Sequence, residues 1–552
     1  MKIASSKCYS GKLQVPTHNE GVLVCPPAER FGDVLAGNIR QREESYLFDG
    51  QLEDYDFQGC RFRTLADQSR EEMLRAAIAY TSSYRNLSGD HAHWRSSSPL
   101  IFAGHQPDLF HPGVWAKNFA MGAFAASRGG VAINLLIDAD VPKSTSLKVP
   151  TGSPEAPILE RIALDDVPIA VPYEDWEIMD ENLFRSFGSR VAAAIKPLVA
   201  DPSIGMYWQK VLERSRSERH VGLCLSQARH QLEGEWGLRT LELPQSHCCE
   251  TEAFRWFTAH MLAQLPRLHE IYNASVTQYR QDHHLRSAKH PVPNLVEENG
   301  WLEAPYWIWD AENPRRRRLI CRLCGDELVL ADGAGLEIPL AITPDADAGT
   351  AVGQLADISR RGIRIRPRAL MTTMFARLLC SDVFIHGVGG GKYDRVTDSI
   401  MHHFFGINPP EYVVLSGTLK LPLSQSGSLA SKLRSIKRLL RDLKFNPDRF
   451  LRNAFADAEF QSWWDWIENK RRWIHTPKNI ENAHTRHREI SRSNEELQSF
   501  VAERSQQLYS QQKKIMAQLR ADTILSARDY AFCLFPQSQL MHYMLDILPK
   551  AL

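Results

Sequence analysis

Residues 99–150 constrain the fold more than any other part of this 552-residue chain. They contain, in order, an apolar run at 99–104, a turn rich in His, Pro and Gly, an apolar helical pattern at 114–127, and a second apolar run at 131–137 that ends in two aspartates. Short apolar runs of this kind are typical of strands that are covered on both faces. A strand, a helix and a second strand in this order predict a βαβ unit, and therefore an α/β fold with a parallel sheet.

Residues 363–406 repeat this order of patterns. A basic strand-like run at 363–366 precedes a helical pattern at 368–379, an apolar strand at 383–387, a glycine-rich turn and a helix from about residue 394. We interpret the two stretches as halves of one Rossmann-like parallel-sheet core. Their strand-to-helix turns are then expected to form one site.

The remaining patterns are expected to be insertions and appendages of this core. Beyond residue 421 the chain reads as charged helices near 428–443, 457–473 and 485–520, which are expected to pair as an antiparallel coiled coil. The predicted segments are 1–95 as an N-terminal lead-in, 96–167 as the first half of the core, 168–362 as an inserted helical region with a small antiparallel sheet, 363–420 as the second half of the core, and 421–552 as the helical coiled-coil region with a C-terminal tail.

Charge and hydropathy exclude several classes of partner. Lys plus Arg number 66 against 65 Asp plus Glu, so the chain has no global field that would attract nucleic acid or anionic lipid. No apolar run approaches the ~18 residues of a membrane span, and the start lacks the apolar core of a secretory signal. We therefore expect a cytoplasmic protein that acts on a small molecule and binds neither nucleic acid nor membrane.

Cysteine usage favours thiols over disulfides, because the ten cysteines are scattered along the chain. Cys321 and Cys324 have the spacing of half a zinc ribbon. A closed zinc site needs four ligands, and the adjacent pair Cys248 and Cys249 lacks ligand spacing. Zinc is therefore not expected.

The turn after the first predicted strand carries His105, Gln106 and His111 in front of a helix that begins near Pro112. A helix N-terminus presents unpaired N–H groups to an anion, and a histidine beside it can donate to a phosphoryl or carboxyl oxygen as charge develops. We assign catalytic roles to His105 and His111, and binding roles to Gln106 and Gly113. The alternative is that both histidines cap and fill a tight turn.

Asp138 and Asp140 follow the second predicted strand, at the sheet edge where open α/β sheets bind ligands. Carboxylates at this position suit ribose hydroxyls, an amine or Mg²⁺. An equal alternative is that both aspartates only stabilise a turn or cap a helix, since Asp is favoured at turn and N-cap positions.

A glycine-rich segment after the strand at 383–387 is the second candidate site. Its glycines let the backbone approach a ligand, and Lys392 can neutralise a phosphate, which makes Lys392 a catalytic candidate and Arg368 a partner in anion binding. Alternatively the glycines permit only close packing of helix on strand. The candidate binding residues of this segment are His386, Gly387, Gly389, Gly390, Gly391 and Asp394.

Arg286, His290 and Glu303 form a third candidate group, because they lie among tryptophans and prolines between residues 286 and 309. Aromatic walls with a few polar groups are typical of a ligand pocket. The tryptophans also suit simple packing, so the role of the three polar residues stays open.

These motifs resemble those of the cysteine-adding enzymes of bacillithiol biosynthesis. The matching letters are Gly-His-Gln-Pro-Asp-Leu-Phe at 104–110, Asp-Ala-Asp at 138–140, Arg-Pro at 366–367 and His-Gly-Val-Gly-Gly-Gly at 386–391. The resemblance implies a Rossmann-like core with insertions, a coiled coil, bound ATP or ADP, a homodimer, and the joining of cysteine to a glucosaminyl-malate. His105 stands where the family usually has Gln, which indicates a divergent relative.

The leading hypothesis is a nucleotide-binding, ligase-like enzyme that joins an amino-acid-like nucleophile to a small acceptor, with ATP or ADP and Mg²⁺ as expected cofactors. Two alternatives stay open. One is a non-catalytic assembly protein that pairs with a partner through its coiled coil. The other is a metal-dependent hydrolase, whose ligands would be His105, His111, Asp138, Asp140 and His290.

Overall fold

The computed structural model describes residues 13–43, 55–87, 93–166, 170–423, 429–451 and 460–552. The chain forms two compact units. The larger unit comprises Met1–Val149, Arg161–Leu421 and Arg528–Leu552, and the helical unit comprises Pro150–Glu160 and Pro422–Ala527.

Sixteen strands and seventeen α-helices are assigned within the described ranges. The strands are β1 (Gly21–Cys25), β2 (Asp56–Phe57), β3 (Cys60–Arg61), β4 (Leu100–His105), β5 (Val131–Leu136), β6 (Ser146–Gly152), β7 (Pro157–Ala163), β8 (Leu241–Pro244), β9 (Glu297–Glu298), β10 (Trp301–Asp310), β11 (Asn313–Cys324), β12 (Glu327–Ala331), β13 (Glu337–Leu340), β14 (Ile363–Pro367), β15 (Val383–His386) and β16 (Val413–Thr418). The helices are α1 (Phe31–Glu43), α2 (Phe62–Ser82), α3 (Pro112–Ser127), α4 (Glu181–Ile195), α5 (Ile204–Arg214), α6 (Val221–Glu235), α7 (Gln245–Cys249), α8 (Glu252–Ala263), α9 (Leu265–Asp282), α10 (Gly349–Arg360), α11 (Ala369–Phe375), α12 (Val388–Phe405), α13 (Leu429–Phe445), α14 (Phe460–His475), α15 (Ala483–Leu497), α16 (Ala502–Leu525) and α17 (Gln537–Met541).

The main sheet of the larger unit has six strands in the order β1-β16-β15-β4-β5-β8. Strand β1 is antiparallel to β16, and the other neighbours are parallel. The fold is therefore α/β, as predicted, and its sheet is mixed and mostly parallel. The antiparallel edge strand β1 comes from the segment that was predicted to be an N-terminal lead-in. Numbered along the chain, the five parallel strands lie in the order 3-2-1-4-5, so the order reverses between β4 and β15.

The predicted βαβ unit is confirmed as β4, α3 and β5. Leu100, Ile101 and Phe102 of β4 are fully buried, which fits a strand covered on both faces. Helix α3 is buried on nearly every side and packs on β4, β5 and β16. The continuous apolar pattern of these elements is therefore the signature of a central position in the sheet layer.

A second sheet of the larger unit is antiparallel, with the order β13-β12-β11-β10-β14 and β9 on β10. It includes the small sheet predicted near residues 315–342. The basic run at 363–366 also belongs here, because β14 pairs with β10 and not with the main sheet. Its alternation of isoleucine and arginine suits a half-buried antiparallel strand.

One contiguous apolar core joins the two sheets. Ala304, Tyr306 and Ile308 of β10 point into it, together with Phe102 and Ile133 of the main sheet. The alternate residues of β10 therefore lie on the other face of the strand, and they include a glutamate and three tryptophans.

In the helical unit, α13 packs on α16 and α14 packs on α15. The predicted helix at 485–520 is wrong in one respect, since α15 ends at Leu497 and α16 begins at Ala502. No Gly or Pro marks this break. It occurs where Leu497 and Val501 enter the core of the unit and Gln498 Nε2 donates to Leu443 O at 3.0 Å.

None of the helices in the described ranges has an apolar stretch long enough to cross a lipid bilayer.

Candidate functional site

The two strand-to-helix turns that the sequence singled out meet at one sheet edge. Strands β4 and β15 are parallel neighbours, with Ile385 level with Ala103. Their carboxyl ends, His105 and His386, therefore lie side by side where the strand order reverses, which is the position where open α/β sheets bind ligands. We call these strand ends, the turns that follow them and the first turns of α3 and α12 the strand-end site.

Lys117 on α3 occupies this site and was not singled out from the sequence. Its side chain is buried, and Nζ donates to Gly104 O at 2.9 Å. Burial lowers the pKa of its ammonium to about 8. The charge of Lys117 also contributes to the lowered pKa values of three histidines, namely His105, His111 and His386. The sequence does mark Lys117, because it is the single charged residue in the otherwise uncharged helical pattern at 114–127.

His105 ends β4 and is held between two oxygen atoms. Nδ1 lies 3.1 Å from Gln106 O, and Nε2 lies 3.2 Å from Asn118 Oδ1. Burial lowers the pKa of its imidazole far below the usual range, and the charges of Arg229 and Lys117 add to this effect. Both ring nitrogens of His105 thus face acceptor oxygens of the protein, which fix the orientation of the imidazole.

His111 is the N-cap of α3, and its Nδ1 accepts a hydrogen bond from Gly113 N at 3.0 Å. Burial lowers the pKa of this histidine to about 4, with a contribution from Arg528. A Cβ on Gly113 would lie 2.0 Å from Gly417 O of β16. The cap and the close helix-to-strand approach account for both residues, as the structural alternative predicts.

Gln106 and Asp140 are brought together from the two halves of the βαβ unit. Gln106 Nε2 donates to Asp140 Oδ2 at 2.8 Å, and Arg316 Nη1 of the second sheet donates to Asp140 Oδ1 at 2.8 Å. Arg316 Nη1 also donates to Ala139 O at 2.8 Å. The turn after β4 is thus linked to the second sheet through one carboxylate.

Asp138 is buried and serves the start of helix α7. Its Oδ1 accepts from Ser246 N at 2.9 Å, and its Oδ2 accepts from the Ser246 hydroxyl. Burial, with a contribution from the neighbouring Glu174, raises the pKa of this carboxyl to about 7. Both carboxyl oxygens are occupied, so the capping alternative describes Asp138 well.

His386, at the end of β15, is oriented by a buried carboxylate. Its Nε2 lies 2.9 Å from Asp394 Oδ2, and Asp394 also accepts from Thr373 Oγ1 at 2.6 Å and from Arg377. Burial alone would raise the pKa of Asp394, but Arg377 and His386 outweigh it and hold the carboxylate ionised. Burial lowers the pKa of His386.

The predicted glycine-rich turn is largely helical, because α12 already begins at Val388. A Cβ on Gly391 would lie 2.4 Å from Val414 Cγ2, so this glycine permits packing on β16. A Cβ on Gly387 would meet no atom within 4 Å, and one on Gly389 would meet only Tyr393 Oη at 4.0 Å. The space over the start of α12 is therefore open.

Gly390 and Lys392 complete the α12 segment. A Cβ on Gly390 would lie 2.9 Å from His386 Nδ1, so this glycine allows the imidazole to approach the helix. Lys392 is exposed on α12.

The other predicted residues lie on the second sheet or its loops. Arg368 Nη2 lies 2.7 Å from Glu303 Oε1, and its guanidinium stacks on Trp307 at 4.1 Å from the ring centroid. Arg286 and His290 lie in an exposed loop after α9, where Arg280 Nε donates to His290 O at 2.9 Å. Glu303 lines a pocket on the second sheet, and Arg368 lies against this lining through its contacts with Glu303 and Trp307.

No three His, Cys, Asp or Glu side chains of the described ranges are arranged to hold a metal ion. Asp140 is the carboxylate of the strand-end region with the greater exposure, at 39% of its side chain.

Comparisons with protein-family models and with curated proteins find no match for this sequence.

Proposed function

We propose that this protein is a nucleotide-binding, ligase-like enzyme that holds a phosphate group at the strand-end site. The observation that carries this proposal is the meeting of β4 and β15 at the reversal of strand order, with Lys117 buried beside both strand ends. The strand order 3-2-1-4-5 is consistent with a Rossmann-like core, which commonly binds nucleotides at this position.

Helix α12 supplies the expected phosphate contacts. Its first N–H groups have no partner within the helix, and glycines at 387 and 389 leave the space in front of them open. The positive end of the helix dipole and the nearby Lys117 ammonium both favour an anion there. Each carboxylate oxygen of Asp140 has a second lone pair besides the one that accepts from Gln106 or Arg316, so Asp140 would contribute an oxygen to Mg²⁺ bound with the nucleotide.

The histidines suit the transfer chemistry of a ligase. A buried, neutral imidazole can donate an N–H to an oxygen on which negative charge develops, and it can accept a proton from an attacking amine. His386 suits such a role, because Asp394 engages its Nε2 and orients the ring. Both ring nitrogens of His105 already face protein oxygens, so His105 would position the turn. Lys117 would stabilise the developing charge.

The resemblance to the cysteine-adding enzymes supports an amino-acid-like nucleophile and a small acceptor. It also supports a homodimer and, within the helical unit, a coiled coil. On α13 the buried residues Leu429, Ile436 and Leu443 recur every seven positions, which is the spacing of a coiled-coil seam.

Titration calorimetry with Mg·ATP and ADP tests this proposal with a matched pair of variants. Gly389→Ala places a methyl group in the open space over α12, and Gly353→Ala places one in open space on the exposed face of α10. We expect Gly389→Ala to weaken nucleotide binding at least about tenfold, because the methyl group displaces the phosphate from the N–H groups. Gly353→Ala should bind like wild type.

Absence of binding heat with wild-type protein would refute the proposal. Equal affinity of both variants would refute the assignment of the phosphate to α12.

A further inference from the structure

The second sheet carries a pocket of about 580 Å³ on the side of β10 that faces away from the apolar core. Its floor is formed by the alternate side chains Trp301, Glu303 and Trp307 of β10, with Arg316 and Arg318 of β11 beside them. This volume suits a small molecule. The proposed nucleotide site does not include this pocket.

Two guanidinium groups approach the buried carboxylate of Glu303 in this pocket. Arg368 Nη2 lies 2.7 Å from Glu303 Oε1, whereas Arg318 Nη1 is 3.4 Å from Glu303 Oε2, at the long limit of a hydrogen bond. Arg316 is paired with Asp140. Two arginines therefore share the Glu303 carboxylate, and the buried Nε of Arg368 has no hydrogen-bond partner among the described residues. The lining also carries Glu298 and an ion pair between Arg317 and Asp332.

Aromatic stacking fixes the guanidinium planes. Arg316 lies over Trp307 at 4.8 Å from the ring centroid, and Arg368 lies over the same ring at 4.1 Å. A stacked guanidinium keeps its N–H donors at its edge, where they can reach a ligand. Arg318, whose side chain is 59% exposed, adds donors from a third position.

We propose that this pocket binds the phosphate group of a small phosphate ester. A tetrahedral phosphate accepts hydrogen bonds from several directions at once, whereas a planar carboxylate is satisfied by one coplanar guanidinium fork. Three guanidinium groups held at separate positions match the phosphate. Asn299 and Glu298 at the exposed mouth of the pocket supply acceptors for hydroxyl groups of the ester.

Calorimetric titration of the full chain with inorganic phosphate tests the proposal, with succinate at equal ionic strength as the carboxylate probe. Arg318→Met removes a guanidinium from the pocket. Arg322→Met is the matched control, because Arg322 lies on the same strand and stacks on Trp301 at 4.5 Å but does not line the pocket. We expect Arg318→Met to weaken phosphate binding at least about tenfold and Arg322→Met less than about twofold.

Further variants distinguish phosphate binding in this pocket from nucleotide binding at the strand-end site. Gly389→Ala should retain phosphate binding in the pocket, and Arg318→Met should retain nucleotide binding. Arg318→Lys keeps the positive charge but lacks the planar pair of guanidinium donors, so its phosphate affinity should lie between those of wild type and Arg318→Met.

Four outcomes would overturn the proposal: no phosphate binding by wild type, equal losses in Arg318→Met and Arg322→Met, succinate binding as tight as phosphate, or loss of phosphate binding in Gly389→Ala but not in Arg318→Met. The last would place the phosphate at the strand-end site and leave the nucleotide proposal standing.

Discussion

A single buried amine, Lys117, is the residue on which the strand-end site most depends. Its position costs stability, because an ammonium is removed from water with Gly104 O as its partner. A buried charged group that destabilises the folded chain and has a shifted pKa is typical of a functional site. The cost has a measurable pH dependence.

Lys117→Met should gain stability relative to wild type at neutral pH and lose that gain in alkali. The pKa of Lys117 is about 8 in the folded chain against an ordinary 10.5, so the unfolded chain binds more protons between these values and wild-type stability rises with pH there. Denaturant titrations of both proteins at pH 7 and pH 10.5 should show the difference shrinking by about 3 kcal/mol. A difference independent of pH would contradict the assignment.

Gly113→Ala should destabilise the chain strongly, since the added Cβ would lie 2.0 Å from the backbone oxygen of Gly417. Overpacking against backbone costs about 1–3 kcal/mol. Gly353→Ala, on the exposed face of α10, is the control and should stabilise by up to about 1 kcal/mol. Urea unfolding measures both. Equal midpoints would show that α3 can move away from β16.

At the scale of elements, two strand ends and two helix starts build the candidate site, and short caps fix how the elements begin. Asp138 caps the first turn of helix α7, because its carboxylate accepts hydrogen bonds from the Ser246 amide and hydroxyl. His111 fulfils the same task for α3. These caps tie the ends of β5 and β4 to the helices that flank the sheet.

Asp138→Asn should preserve the α7 cap and remove a pH-dependent cost. The folded-state pKa of Asp138 is about 7 against an ordinary 3.8, so the folded chain retains a proton that the unfolded chain has lost, and wild-type stability falls as pH rises from about 4 to 7. Between pH 5 and pH 8 the variant should gain about 2–3 kcal/mol on wild type. Thermal unfolding across this range is the measurement, and a constant difference would exclude a buried, protonated Asp138.

At the scale of the whole molecule, burial divides the cysteines into distinct reactivity classes. Six are buried, namely Cys224, Cys248, Cys249, Cys321, Cys380 and Cys533, and burial raises the pKa of each of these thiols. Cys324 is exposed, and no disulfide forms among the nine described cysteines. Cys8 lies outside the described ranges.

In a Cys8→Ser background, Cys324 should be the fastest-reacting thiol of the native chain toward an aromatic disulfide reagent, ahead of the half-buried Cys25 and Cys60, and Cys324→Ser should abolish the fast phase. The six buried thiols should react only on unfolding, because a protonated thiol without solvent access is a poor nucleophile. Rapid labelling of Cys321 together with Cys324 would show that β11 is more open than described.

Several features of the site could be predicted from sequence because they are local. The apolar runs at 99–104 and 131–137 predicted β4 and β5, and Pro112 predicted the start of α3. The start of α12 was placed too late, since three successive glycines favour a turn by propensity and only packing on Val414 keeps Gly391 in a helix.

The sequence by itself determined the α/β class, the central βαβ unit and the polar turns at its strand ends, because hydrophobic period and turn chemistry act over a few residues. Only the tertiary structure decided that β15 lies beside β4, that β14 leaves the main sheet for β10, and that Lys117 is buried against Gly104 O at the end of β4. Strand pairing and the burial of a charge depend on contacts between residues far apart in the chain, which no local pattern encodes.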